Sequence, residues 1–157
     1  MDSNYFSGDI KEFIRLLDRY DVKYMIVGGE AVIYYGYPRL TGDVDFFFSS
    51  EDKNVTKLFK ALSEFWDGDI PGIETVDELK TPGYVIQFGL PPNRIDLMNS
   101  IDEVDFGDAW KKSKTEQIEV NGKEVPVYYL GLEHLIKNKA ASARDKDLDD
   151  LSYLRKL

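Results

Sequence analysis

Two acidic residues interrupt an apolar segment of the chain, Asp43-Val44-Asp45-Phe46-Phe47-Phe48. Successive side chains of a strand point to opposite faces, so Asp43, Asp45 and Phe47 would share one face. Two carboxylates about 6–7 Å apart along a strand repel each other unless a cation neutralises them. Mg²⁺ takes hard oxygen ligands and bridges carboxylates to substrate phosphates. The pair therefore predicts a metal site for phosphate chemistry.

A glycine turn lies shortly before the acids and could supply the other half of such a site. The apolar run Tyr24 to Val27 predicts a strand, which Gly28 and Gly29 end, and residues 30–35 are compatible with a short helix. Glycine lets the backbone approach a ligand closely, and a helix N-terminus offers free N–H groups to an anion. A metal-binding acid pair beside a phosphate cradle is the requirement for nucleotidyl or phosphoryl transfer.

The acid pair alone also has a plainer interpretation. Three other Asp-x-Asp pairs occur, Asp67/Asp69, Asp145/Asp147 and Asp147/Asp149, but only Asp43/Asp45 falls in an apolar strand pattern. Desolvating an unpaired charge is costly, so residues 43–48 could equally form an edge strand whose acids are solvated.

A third acid falls in another apolar strand pattern, Arg94-Ile95-Asp96-Leu97-Met98. The alternation of a strand places Arg94, Asp96 and Met98 on one face and the two aliphatic side chains on the other. Asp96 could join the acid pair, or it could serve only as a partner for Arg94.

The remaining patterns predict the elements that must position these residues. Helical spacing of apolar residues indicates helices over 8–20 and from about 51 to 65. Asn121-Gly122 between alternating runs indicates a hairpin of strands 116–120 and 124–130, and strands are also expected at 84–90 and 94–98. Residues 66–83 look irregular, with a short strand near 73–76, residues 101–114 hold a short helix, and 131–157 read as helical. We predict an α+β fold of α/β type, with a mixed sheet flanked by helices and a C-terminal helix.

Size and composition exclude several classes of protein. At 157 residues the chain predicts a single domain, residues 1–157. Its net charge of −9 argues against a protein whose main task is to grip a nucleic acid backbone. It has no cysteine and one histidine, His134, so a zinc site is not expected. No apolar run reaches membrane-spanning length and no signal peptide is evident, which predicts a soluble cytoplasmic protein.

Gly28-Gly29, thirteen further residues and Asp43-Val44-Asp45-Phe46 together resemble the signature of the nucleotidyltransferase superfamily that shares the DNA polymerase β palm fold. The surrounding residues 24–48 resemble its small bacterial branch, which includes AbiE-type toxins, minimal nucleotidyltransferases and lincosamide-type antibiotic nucleotidyltransferases. The resemblance recurs near residues 94–98 and 132–151.

The resemblance implies a mechanism with named residues. Asp43, Asp45 and Asp96 would be the catalytic carboxylates and would hold two Mg²⁺ ions, with Mn²⁺ as an alternative. The backbone at Gly28 and Gly29 would hold the β- and γ-phosphates. The further nucleotide-binding residues that the resemblance implies are Arg39, Thr41, Lys139, Arg144 and Asp147. Lys137 is the rival of Lys139 for the triphosphate.

One residue departs from the family pattern. Glu30 follows the glycines where many relatives have a small or neutral residue. A carboxylate suits the positive end of a helix dipole, but it would repel phosphates. Either Glu30 turns away from the site, or phosphate binding is weakened.

The resemblance implies a Mg²⁺-dependent transfer of a nucleoside monophosphate from an NTP such as ATP to a hydroxyl of RNA, protein or a small molecule. The protein could be the toxin of a toxin–antitoxin pair with a cognate partner protein, or a homodimer. Two alternatives remain: an antibiotic nucleotidyltransferase, or a catalytically silent fold that acts as a binding partner.

Overall fold

The structure, a computed structural model, describes residues 5–157 and consists of a mixed sheet with helices on both faces. Its strands are β1 (Tyr24–Val27), β2 (Asp43–Phe48), β3 (Val85–Phe88), β4 (Arg94–Met98), β5 (Lys114–Val120) and β6 (Lys123–Tyr129). The helices are α1 (Gly8–Arg19), α2 (Gly28–Tyr34), α3 (Asp52–Phe65), α4 (Phe106–Trp110), α5 (Leu132–Ser142) and α6 (Asp145–Leu154). The α+β fold predicted from the sequence, with helices flanking a mixed sheet, is confirmed.

The sheet has the strand order β3-β4-β2-β1-β6-β5. Strand β2 pairs antiparallel with β1 and parallel with β4, so it is an internal strand. The interpretation of residues 43–48 as an edge strand with solvated acids is therefore wrong.

Each face of the sheet is covered by an apolar cluster. Val44, Phe46 and Phe48 of β2 pack with α1 and α3 on one face, whereas Phe47 packs on the opposite face. Side chains two residues apart on a strand share a face, so Asp43 and Asp45 lie on the same face of the sheet as Phe47. They lie toward the start of β2, where the apolar cluster on that face ends. Burial of three phenylalanines of one strand fixes its register, since a slip by one residue would bring the acids into the core.

The segment 66–83 differs from the prediction made for it. Residues 76–80 form a 3₁₀ helix rather than a strand at 73–76. Thr75 caps this helix, and the Glu78 carboxylate accepts hydrogen bonds from the backbone N–H groups of Glu74 and Thr75. A capping box of this kind favours a helical start over an extended strand.

The C-terminal segment is not one continuous helix, as residues 131–157 had suggested, but two. Ala143 adopts φ 49° and its N–H donates to the Lys139 carbonyl, which ends α5. Arg144 is extended and caps α6, because the Asp147 carboxylate accepts its backbone N–H. The break folds α6 back against α5.

Among the described residues, none of the helices combines the length and the apolar character that a membrane crossing requires.

Candidate active site

Strand pairing brings the three predicted carboxylates together. In the parallel pair of β2 and β4, Asp43 lies opposite Arg94 and Asp45 lies opposite Asp96. One carboxylate oxygen from each of Asp43, Asp45 and Asp96 lies within 4.8 Å of the others. Oxygens that share one Mg²⁺ are held about 2.0–2.1 Å from the ion, so a small movement of these side chains would let them share a cation.

The antiparallel pairing of β1 with β2 places the glycine turn at the acids. Val27, the last residue of β1, lies opposite Asp45, so the chain passes directly over that carboxylate as it enters α2. A Cβ atom on Gly28 would lie 2.2 Å from Asp45 Oδ2, and Gly28 also has φ +64°. Only glycine satisfies both conditions, because a positive φ and this close approach each penalise a side chain.

Replacing Gly28 with alanine is expected to move Asp45 and to weaken binding of Mn²⁺ at the acids. Gly83→Ala is the matched control, because Gly83 has φ +74° but nothing within 4 Å of its added Cβ. Both substitutions incur backbone strain of about 1–2 kcal/mol, and Gly28→Ala adds the clash. Chemical denaturation and Mn²⁺ calorimetry would measure this, and equal effects of the two substitutions would contradict the close approach.

Asp45 is the carboxylate that lacks a partner. Its Oδ1 is buried and accepts no hydrogen bond from any described residue. Burial, followed by the neighbouring charges of Asp43 and Asp96, raises the pKa of Asp45 to about 7. A buried carboxylate oxygen with no donor, in a side chain that lies beside two further acids, fits a cation ligand, because a bound cation would offset all three charges.

Arg94 holds the other two acids. Its guanidinium donates to Asp43 Oδ2 at 2.6 Å and to the Asp96 carboxylate at 2.9 and 3.1 Å. Thr41 Oγ1 donates to Asp43 Oδ1 at 3.1 Å, and Gln87 donates to Asp96 at 3.2 Å. The sequence offered Arg94 only as an alternative partner for Asp96, and its contact with Asp43 depends on the pairing of β2 with β4.

Two cavities meet at Asp45. The larger, of about 590 Å³, contains nine of the ten predicted site residues: Gly28, Gly29, Arg39, Thr41, Asp43, Asp45, Asp96, Lys139 and Arg144. Lys146 also lines this cavity. The second cavity, of about 410 Å³, shares Gly28, Asp45 and Lys139 with the first and extends toward Ser100, Asp102 and Ser142.

Lys139 and the predicted residue Asp147 belong to a buried ion-pair network. Lys139 Nζ lies 3.1 Å from Asp147 Oδ1 and 3.1 Å from Asp150 Oδ2. Their exposed fractions are 3% for Lys139, 0% for Asp147 and 1% for Asp150. This network joins α5 to α6, and Lys139 extends it to the wall of both cavities. Lys137, the rival of Lys139 in the sequence, is exposed and does not line either cavity.

Arginines complete the network from both sides. Arg39 Nε lies 3.0 Å from Asp150 Oδ1, and Arg144 Nε donates to Asp147 Oδ2 at 2.7 Å. Burial opposes ionisation of Asp147, but the hydrogen bonds from Arg144 and Lys139 hold its pKa below the usual value. Asp150 was not among the predicted site residues, because its link to Arg39 crosses 111 positions of sequence.

Glu30 turns away from the catalytic cavity. It is buried, with 8% of its surface exposed, and accepts a hydrogen bond from the Tyr5 hydroxyl at 2.6 Å. It lines a separate cavity with Tyr34 and Glu116. Of the two alternatives that the sequence left open for Glu30, the structure shows the side chain directed away from the glycine turn's cavity.

Comparisons with known proteins point to one family. Residues 7–154 match the family described as "Nucleotidyltransferase of unknown function (DUF6036)". A Thermotoga maritima structure (TM1012), whose name assigns it provisionally to the nucleotidyltransferases, is 16% identical with a TM-score of 0.53, covering 94% of this chain and 88% of that one. JHP933 from Helicobacter pylori is 15% identical with a TM-score of 0.48, covering 98% of this chain and 66% of that one. No curated protein sequence matches the chain.

Proposed function

The chain belongs to the family of nucleotidyltransferases of unknown function designated DUF6036, and we propose that it transfers a nucleoside monophosphate from an NTP to an acceptor hydroxyl. The observation that carries the proposal is the cluster of Asp43, Asp45 and Asp96 beneath the glycine turn. Three carboxylate oxygens within 4.8 Å suit a hard divalent cation, and Mg²⁺ is the one that accompanies substrate phosphates.

In the proposed site, Asp43, Asp45 and Asp96 hold Mg²⁺, with Mn²⁺ as a substitute. A divalent cation held there supplies charge neutralisation at the phosphate oxygens and lowers the pKa of an oxygen nucleophile. Asp45 takes part through its unpartnered Oδ1, whereas Asp43 and Asp96 must exchange contacts with Arg94 for contacts with the cation.

Residues around the larger cavity bind and orient the triphosphate. The backbone at Gly28 and Gly29 lies within reach of the phosphates because no Cβ intervenes, and the first N–H groups of a helix lack intrahelical partners. Arg144 and Lys146 are exposed cations on the cavity wall and supply positive charge. Lys139 and Arg39 act from the buried network below.

The reaction is a displacement at the α-phosphorus. The acceptor oxygen forms the new P–O bond, the bond from the α-phosphorus to the bridging oxygen breaks, and pyrophosphate leaves. The hydroxyl proton passes to a carboxylate oxygen of Asp96 or to water. Donor and acceptor both reach the reacting centre because the two cavities meet at Asp45. The acceptor, an RNA, a protein or a small molecule, and the link to a toxin–antitoxin pair stay predictions.

The experiment that tests the function is transfer of label from each α-labelled NTP with Mg²⁺, using cell RNA, cell protein and small-molecule extracts as separate acceptors. We expect label in one acceptor fraction and none with the Asp43→Asn/Asp45→Asn variant. Absence of transfer in every fraction, together with absence of Mg²⁺-dependent NTP binding in calorimetry, would leave only the catalytically silent fold.

Arg94→Gln is expected to strengthen Mn²⁺ binding by the free protein by roughly three- to tenfold, because a resident positive charge no longer competes for Asp43 and Asp96. Transfer is expected to fall, since those acids lose the donor that orients them. Arg155→Gln is the control, because Arg155 is exposed at the end of α6. Calorimetry gives the affinity, and a weaker or unchanged Mn²⁺ affinity in Arg94→Gln would contradict the role of Arg94 as counter-charge.

A further inference from the structure

A third cavity, of about 290 Å³, lies apart from the catalytic acids, and its described lining residues are Tyr5, Glu30, Ile33, Tyr34, Glu116 and Tyr129. None of these six residues lines either of the two cavities that meet at Asp45. Three of the six are tyrosines and two are glutamates, so the described wall is aromatic and acidic.

The aromatic wall is built from two elements. Tyr34 at the end of α2 stacks on Tyr129 of β6, with ring centroids 4.1 Å apart and an interplanar angle of 10°. Stacking fixes these two side chains in place, and tyrosine rings present an electron-rich face that attracts cations.

Tyrosine hydroxyls hold the two carboxylates of the cavity, and no cation of residues 5–157 forms an ion pair with either of them. Glu30 accepts from the Tyr5 hydroxyl at 2.6 Å, and Glu116 accepts from the Tyr34 hydroxyl at 2.9 Å. Among the ion pairs of residues 5–157, none involves Glu30 or Glu116. Buried carboxylates are normally paired with a cation, and Glu30 has only 8% of its surface exposed.

We propose that this cavity binds a small organic cation, an alkylammonium or guanidinium compound, between the stacked tyrosines and the two glutamates. The cation would supply the positive charge that Glu30 and Glu116 lack, and the aromatic wall would contact its apolar and charged parts. An anion is excluded by the two carboxylates. A bare divalent ion is disfavoured, because Mg²⁺ needs about six oxygen ligands and the walls are largely aromatic.

One helix, α2, contributes residues to both this cavity and the catalytic cavity. Glu30 follows the glycine turn directly and Tyr34 ends the same helix, α2. The binding proposal stands without the proposed catalytic function, since none of the described residues that line the third cavity is a catalytic carboxylate.

The test is calorimetry of the full-length protein with putrescine, agmatine and tetramethylammonium, and with 1,4-butanediol as the neutral analogue of putrescine. We expect saturable one-to-one binding of at least one cation and no binding of the diol. Glu30→Gln and Glu116→Gln should each weaken that binding at least about fivefold. Glu119→Gln, an exposed charge change on the same strand as Glu116, should leave it unchanged.

Two further arms complete the test. The Asp43→Asn/Asp45→Asn variant should retain cation affinity, which separates this site from the acid cluster. Mg²⁺ should not compete with the organic cation. The proposal is overturned if no cation binds the wild-type protein, or if the Glu30→Gln/Glu116→Gln double variant binds as tightly as wild type.

Discussion

Asp45→Asn is expected to abolish nucleotide transfer while making the metal-free protein more stable at pH 8. Activity should fall by at least about three orders of magnitude, because the carboxylate whose Oδ1 has no partner is the one most available to a cation. Stability should rise because this buried side chain lies beside two other acids, Asp43 and Asp96. A loss of activity through misfolding would lower the stability instead.

The stability gained by Asp45→Asn should depend on pH. A group whose pKa is raised in the folded state, here to about 7 from 3.8, favours folding when it is protonated. Its contribution is complete below about pH 4 and is lost as the pH rises through 7. The difference in unfolding free energy between Asp45→Asn and wild type should thus grow from near zero at pH 4 to about 2–4 kcal/mol at pH 8.

Chemical denaturation of both proteins at a series of pH values measures this difference. Asp69→Asn is the matched control, because Asp69 is an exposed acid of another Asp-x-Asp pair. Addition of Mn²⁺ should stabilise wild type and leave Asp45→Asn almost unchanged, since a cation binds only the folded acid cluster. If Asp45→Asn were less stable than wild type at pH 8, the claim that the ionised Asp45 carboxylate destabilises the metal-free folded protein would be wrong.

Lys139→Met is expected to cause the largest loss of stability, about 3 kcal/mol. The substitution keeps an unbranched apolar side chain but removes the ammonium group that Asp147 and Asp150, both fully buried, share. Uncompensated buried carboxylates are costly, although Asp147 keeps its contacts with Arg144 and Asp150 keeps its contacts with Arg39. The loss should grow as the pH rises through the acid range, because Lys139 helps to hold the pKa of Asp147 below its usual value and therefore stabilises only the ionised carboxylate.

Lys137→Met supplies the control for Lys139→Met. Lys137 lies on the exposed side of the same helix, so its substitution should change the unfolding free energy by less than about 0.5 kcal/mol. Thermal and urea unfolding would compare the two. Equal stability of the two variants would mean that Lys139 is not required by the buried carboxylates and serves the nucleotide alone.

The sequence predicted best what depends on local periodicity. The alternation of apolar and acidic residues in 43–48 and 94–98 placed Val44, Phe46, Ile95 and Leu97 on one face, and they share one core cluster in the structure. Burial of these apolar residues on one face places Asp43, Asp45 and Asp96 on the opposite face. That the three acids share a face therefore follows from the two-residue alternation of a strand.

What the sequence could not predict depends on contacts between distant segments. The bridging of Asp43 and Asp96 by Arg94 needs the parallel register of β2 and β4, which no local pattern specifies. The break between α5 and α6 occurs at Ala143, a residue type with high helix propensity, in a left-handed conformation. The buried contacts of Lys139 with Asp147 and Asp150 need that break, whereas the sequence alone suggested one continuous helix over residues 131–157.

Glu30 shows a third limit of the sequence pattern. Its position after the glycines suggested a conflict with phosphate, but its direction is set by the Tyr5 hydroxyl at 2.6 Å and by burial beside Tyr34 and Tyr129. Burial raises the pKa of the Glu30 carboxyl, and the nearby charge of Asp43 acts in the same direction.

The central claim is that the acid cluster directs attack at the α-phosphorus of an NTP, and parallel reactions with α-labelled and γ-labelled NTP test it most directly. We expect the α-label to appear on the acceptor and the γ-label to leave as pyrophosphate, with both signals absent in Asp45→Asn. Appearance of the γ-label on the acceptor would show phosphoryl transfer instead, and transfer that persists in Asp45→Asn would show that the reaction does not depend on this cluster.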